Sequence, residues 1–184
     1  MPLLRRASLV TLLLIAGVFG LARATATREY DLKAVFLFHF AEFVEWPQGS
    51  FAEATTPITV GVLGDNPFGT TLEEIVANET VRGRKLQIVH YGTVEEIGPC
   101  HILFVCPSES RRLVRLRETL ADRSVLTVGD GKEFAEHDGM IGFVTARDRL
   151  KLRINLAAAT AARLTISSKL LRQAEIVGAN RTQP

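Results

Sequence analysis

The sequence predicts a single α/β domain with a mixed, mainly parallel β-sheet flanked by helices. Three observations lead there. Short apolar runs alternate with segments of helical periodicity, the order that places helices on the faces of a parallel sheet. A chain of 184 residues suits one domain, and two would be tight. Hydrophobic residues make up 47% and charged residues 23%, enough apolar material for a packed core and not the composition of a disordered chain.

The chain opens on the pattern of an export signal. Arg5 and Arg6 form a positive start, Leu9 to Leu21 is apolar, and Ala22-Arg23-Ala24 is a small-x-small cleavage site. Cleavage after Ala24 is expected, with Ala26 as the alternative. A retained anchor is the competing reading, but the run falls short of the ~18 residues that span a bilayer. Two adjacent arginines are only a weak pointer to twin-arginine export. The expected organisation is a signal peptide over 1–24, a domain over 28–178 and a flexible tail over 179–184. The mature protein is expected outside the cytoplasm. The formal charge is +2, but losing Arg5, Arg6 and Arg23 leaves one more acid than base. That balance argues against a nucleic-acid partner, which favours a strong basic excess.

The elements follow in order. Tyr30 to Trp46 reads as a helix, with Phe36, Leu37, Phe40, Phe43 and Val44 on one wide face and Pro47 as its stop. Ile58 to Leu63 reads as a strand, Gly64 to Pro67 as a turn, and Phe68 to Ala77 as a helix. Arg84 to Tyr91 and His101 to Val105 read as strands. Ser108 is placed to cap a helix running to about Ala121. Val125 to Val128 is a further strand. Met140 to Thr145 and Leu150 to Ile154 read as a hairpin around Arg147-Asp148. Leu156 to Val177 reads as helical, broken near Leu164 to Ser167.

Catalytic and metal motifs are sparse. The histidines His39, His90, His101 and His137 have no metal-ligand spacing, and GxSxG, Walker A and GxGxxG are absent. No catalytic, metal or cofactor-binding residue is assigned, and an enzyme is not expected. Asp65 and Asp130 each follow a predicted strand, at the edge where α/β sheets bind ligands. They read either as a small-ligand pocket or, the favoured reading, as ordinary turn aspartates in Gly-Asp-Asn-Pro and Gly-Asp-Gly. Arg111, Arg112, Arg115 and Arg117 share a predicted helix diluted by Glu109 and Glu118. A solvated face is the default there, and an anionic partner surface the alternative.

Cys100 and Cys106 flank a predicted strand, whose extended form sets them about 20 Å apart. A disulfide needs Cα atoms about 5.5 Å apart, so no bridge between them is expected. They are the redox candidates, either as buried inert thiols or as an exposed thiol open to oxidation. The aromatic segment is more telling. Phe36, Phe38, Phe40 and Phe43 fall within eight residues, and the only tryptophan follows at position 46. Val35, Phe38 and Trp46 interrupt the helix's polar sector of Asp31, His39, Glu42 and Glu45. Either a second helix or the Phe51 loop covers them, or they form an exposed partner surface. Leu170, Leu171, Ala174 and Val177 share a face of the predicted last helix, and Ile176 points elsewhere. Phe38, Trp46, Leu170, Leu171 and Ile176 are the candidate partner-contact residues.

These residues resemble a known family. Lys33-Ala34-Val35-Phe36-Leu37-Phe38, with Phe40, Phe43 and Glu45-Trp46-Pro47, is similar to the opening of the YfiR-like periplasmic proteins. The likeness continues through Val62-Leu63-Gly64-Asp65, Pro67-Phe68-Gly69, Gly83-Arg84 and Cys100-His101-Ile102-Leu103-Phe104. It runs on through Val125 to Asp130, Gly139-Met140-Ile141, Ile154-Asn155-Leu156 and Ile166 to Leu171. It covers roughly Tyr30 to Val177. The resemblance implies a periplasmic α/β domain that dimerises. It implies binding to the periplasmic sensor region of a membrane-bound diguanylate cyclase, restraining cyclic di-GMP synthesis and biofilm formation. An OmpA-like outer-membrane lipoprotein is the implied sequestering partner. The resemblance also implies a role for disulfides, and here the sequence departs. Cys100 matches a family cysteine, but its expected partner position reads Gly61, and Cys106 lies off the pattern. Asp138-Gly139 replaces the two glycines common before Met140. Two function classes stay open: a periplasmic regulator acting by protein contact, and a small-ligand sensor or binding module.

Overall fold

The structure is a computed structural model that describes residues 28–137, 139–147 and 149–178. The expected export signal and tail lie outside the described residues, as do Asp138 and Asp148. Helix α1 covers residues 28–43. It is followed by β1 (Val44–Glu45), β2 (Ile58–Leu63), α2 (Thr71–Val76), β3 (Thr80–Val81) and β4 (Arg84–Tyr91). Next come β5 (Ile102–Val105), α3 (Leu113–Thr119), β6 (Leu126–Asp130), α4 (Lys132–His137) and the hairpin of β7 (Ile141–Ala146) and β8 (Arg149–Asn155). The chain closes with α5 (Leu156–Ala161), β9 (Thr165–Ile166), α6 (Ser168–Leu171) and β10 (Ala174–Val177).

Eight strands form one sheet in the order β10-β8-β7-β6-β5-β2-β4-β3. The five from β7 to β4 run parallel, β8 turns back beside β7, and β10 runs parallel to β8. This is the mixed, mainly parallel α/β sheet that the sequence predicts. Its centre explains the apolar runs. Every residue of β2 and β5 is buried, as expected of strands covered on both faces.

One face carries α1, α2, α5 and α6 over a cluster centred on Phe40, Phe104 and Phe143. The Phe40 and Phe143 rings stack at 5.8 Å, and Phe68 meets Phe104 edge-on at 4.8 Å. The other face carries α3 and α4 over Leu63, Leu103, Val105 and Phe134. The Phe134 ring packs closely against Gly129 and Gly139. A Cβ on Gly129 would come within 2.6 Å of its ring, and one on Gly139 would collide with it.

Beside the unexpected α4 and small shifts in α2 and β6, three departures from the sequence reading stand out. Helix α1 stops at residue 43, because Val44 and Glu45 pair antiparallel with Ile166 and Thr165 of β9. Ser108 does not cap a helix. It lies in a 3-10 turn (Pro107–Arg112) that precedes α3, and its Oγ accepts a hydrogen bond from the Asp65 amide at 3.2 Å. The largest change is at the end. The helix predicted over Leu156 to Val177 is α5, β9, α6 and β10. Arg163 turns left-handed at φ 62° and stops α5. Ser167 caps α6, its side chain accepting from the Lys169 amide. Ala174 to Val177 then pairs with Leu152 to Asn155 as an edge strand. Ile176 is therefore a strand residue.

Candidate functional site

The carboxyl ends of the parallel strands hold Asp65 and Asp130, and their surroundings differ. Asp65 is exposed in its turn. Asp130 ends β6 beneath α1 and is engaged on both oxygens. Lys33 Nζ lies 2.7 Å from Oδ1, and the Tyr30 hydroxyl donates to Oδ2 at 2.7 Å. Lys33 also meets Glu29 at 2.6 Å, and its side chain is only 4% exposed. The ammonium lies 4.2 Å from the Tyr30 ring centre. Burial drives the Tyr30 hydroxyl well above the usual tyrosine range, and Asp130 adds to that. Burial would raise Glu29, but the hydrogen bond and charge of Lys33 hold its carboxyl below the ordinary value. A buried lysine needs such partners. Asp130 thus fastens α1 to the sheet edge.

A second polar cluster sits at the opposite strand ends. His101 Nδ1 accepts a hydrogen bond from the Thr59 amide at 3.0 Å, which makes Nε2 the protonated nitrogen in the neutral ring. Nε2 lies 3.2 Å from the Ser50 carbonyl. Phe51 stacks on the imidazole at 4.3 Å, and the Arg84 guanidinium lies 4.0 Å from the Phe51 ring centre. Trp46 Nε1 donates to the His101 carbonyl at 3.2 Å. Burial, reinforced by the charge of Arg84, holds the His101 imidazole below the ordinary histidine value despite the Ser50 bond. The cluster pins the 47–57 loop to the sheet. Among the described residues, no group of three His, Cys, Asp or Glu side chains is placed to hold a metal ion.

The arginine cluster is a solvated face but does not share one helix, since Arg111 and Arg112 end the 3-10 turn and Arg115 and Arg117 lie on α3. Arg111, Arg112, Arg115 and Arg117 are exposed, Arg112 meets Glu109 at 3.0 Å, and Arg115 pairs with Glu95.

The candidate contact residues are spread over the molecule. Phe38 and Trp46 are half-buried and pack against the first core cluster. Leu170 is 5% exposed and belongs to the core, with Leu171 partly buried beside it. Ile176 is exposed, on the outer strand of the sheet. Two further apolar side chains, Leu32 and Val35, are exposed on α1. With Arg28, His39 and Glu42 they form one helical stripe. Val35 is legible in the sequence as an apolar group in a polar sector. Leu32 is missed, although its spacing from Arg28 and Val35 puts it on that stripe.

The sequence model of the YfiR/HmsC-like family matches residues 30–175, from α1 into β10. The chain belongs to the YfiR/HmsC-like family. No curated protein matches the chain at a significant level.

Within this family frame the cysteines of the chain stand apart. Both are free and buried. Cys100 packs with Tyr91, Leu103 and Val105, whereas Cys106 packs in the Phe40–Phe104 cluster on the other face of the sheet. The strand between them therefore keeps the thiols apart. Burial pushes Cys100 up to about 11 against the pull of Arg123. Burial, then the carboxylates of Asp130, Asp65 and Glu109, push Cys106 up to about 12. Neither is an activated thiolate. Gly61, the expected partner position, has no room for a side chain. A Cβ there would lie 2.7 Å from the Tyr91 ring and 2.9 Å from Leu103 Cδ1.

Proposed function

We propose that this protein is an exported, periplasmic regulator that binds the periplasmic part of a membrane-bound diguanylate cyclase and restrains it. The observation that carries this reading is the family match, which spans the fold from α1 into β10. The protein acts by contact and not by catalysis. Its most buried charged side chain, Lys33, is paired with Asp130 in fastening α1. Its thiols are held protonated by burial.

The contact surface proposed is apolar. Ile176 lies on the edge strand β10, and Leu32 and Val35 lie on the α1 stripe. An edge strand with an exposed apolar residue is a template for pairing with another chain. Phe38, Trp46 and Leu171, half-buried against the core, are the further contacts of this reading. A second copy of the chain and an OmpA-like outer-membrane lipoprotein are the further partners of the same reading. A shift of the cyclase from mostly active to mostly inactive requires ~3–5 kcal/mol of differential affinity. A few apolar anchors supply energies of that order.

Deleting the gene tests the reading. Cellular cyclic di-GMP and biofilm should rise, and removing the partner cyclase as well should cancel the rise. Unchanged cyclic di-GMP across growth and oxidative conditions would contradict it.

A further inference from the structure

A partly enclosed, apolar-lined recess lies away from both the α1 stripe and the strand edge that holds Asp130. It is a cleft of about 310 Å³ between α3 and the end of α5. That size falls at the lower end of small-molecule sites, which span about 300–1,000 Å³. Its walls are Leu116, Leu120, Val125, Phe134, Met140 and Ala162. The turns after α3 and α5 form its mouth. Arg163, after α5, donates to the Asp122 carbonyl, after α3, at 2.8 Å, so the two walls are tied together at the rim.

The charge at that rim is unbalanced. Arg123 donates to the carbonyls of Ile97 and Gly98, and Arg163 to that of Asp122. Neither guanidinium meets a carboxylate within 4 Å among the described residues. Asp122 is the one acidic side chain of the lining, and Arg123 and Arg163 are the cations at the rim. A guanidinium bound only to neutral carbonyls keeps its full charge and binds carboxylates in a forked geometry. An apolar interior beneath such a rim fits a molecule with an apolar body and one anionic end.

We propose that this cleft binds a small amphiphilic carboxylate, with its chain among Leu116, Leu120, Phe134 and Met140 and its carboxylate at Arg123 and Arg163. The site is independent of the regulatory reading above, and it uses none of the same residues.

The test uses the full chain expressed with its own leader and purified from the periplasm. Decanoate, decanol and decyltrimethylammonium are titrated by calorimetry, and the methyl resonance of Met140 is followed by NMR. Methionine occurs only at positions 1 and 140, so a leader-free chain carries a single methyl probe inside the cleft. Decanoate should bind saturably at one site and shift that resonance, and decyltrimethylammonium should bind at least about tenfold more weakly. Arg163→Gln should weaken decanoate about tenfold and leave decanol unchanged. Ala161→Phe, at an exposed position on the wall, should abolish binding of both while unfolding stays cooperative; Ala161→Leu replaces it if the phenylalanine unfolds the chain. Decanoate that fails to saturate, binds Ala161→Phe as it binds the parent, or leaves the Met140 methyl unmoved would overturn the site. Equal affinity for the cationic amphiphile would overturn the assignment of the rim.

Discussion

Replacing Asp130 with alanine isolates the contact that ties α1 to the sheet. The substitution leaves the Lys33 ammonium, 4% exposed, facing only Glu29, and it orphans the Tyr30 hydroxyl. Removing one member of a buried ion pair costs about 3–5 kcal/mol, because the remaining charge stays desolvated without its partner. For a domain of this size each kcal/mol moves the melting temperature by about 2–4 °C, so a fall of about 6–20 °C is expected. Lys33→Met should cost less, about 1–3 kcal/mol, because the apolar stem is kept and the Tyr30 hydroxyl still serves Asp130. Urea unfolding of wild type, the two single variants and the double variant gives the coupling directly. The double variant should be more stable than the sum of the single losses predicts, by about 1–3 kcal/mol. An Asp130→Ala chain within about 0.5 kcal/mol of wild type, with no coupling to Lys33, would refute the fastening role. The strand edge would then be open to the ligand reading of Asp130.

Three further outcomes follow from the same structure. His101 is held neutral, its folded pKa below the unfolded value near ~6.5. Above that pH both states are neutral and the group contributes no pH dependence. Below it the unfolded state takes up the proton first, so stability should fall with acidity, and His101→Asn should flatten that part of a pH–stability curve. For the cysteines, native protein should react slowly with iodoacetamide at neutral pH, and mass spectrometry of the alkylated, non-reduced monomer should show no Cys100–Cys106 bridge. A bridge would mean that β5 does not separate the two thiols. Gly61→Ala should destabilise by about 1–3 kcal/mol, because its methyl group would press on Tyr91 and Leu103; adding Tyr91→Leu should recover part of that loss in chemical denaturation.

Much of the fold was legible because burial on both faces leaves an unbroken apolar run. Ile58–Leu63 and Ile102–Val105 could be read as strands for that reason. The aromatic face of α1 was legible from its helical spacing. The C-terminal end was not. Leu170, Leu171, Ala174 and Val177 satisfy helical spacing by coincidence, while the bonds that make 174–177 a strand come from β8, far away in sequence. Helix α4, six residues long, was too short to show a period, and its role in seating Phe134 over two glycines is purely tertiary. The turn aspartates show the same limit. In sequence Asp65 and Asp130 share the same two readings, and only the fold separates an exposed turn residue from the partner of a buried lysine. Of the candidate contact residues, Ile176 is exposed for a reason unlike the helical one first inferred, and Leu170 is withdrawn into the core by the β9–α6 turn.

The central claim is restraint of a membrane cyclase through an apolar surface on α1 and β10. The most direct test is cellular cyclic di-GMP in a deletion strain complemented with wild type, Leu32→Asp or Ile176→Asp. Both side chains are exposed, at 45% and 43%, so the variants should fold and reach the periplasm at wild-type levels. Wild type should return cyclic di-GMP to the parental level, and each variant, present in equal amount, should leave it raised. Variants that restore the parental level as fully as wild type would contradict the surface, and a deletion that never raises it would contradict the restraint itself.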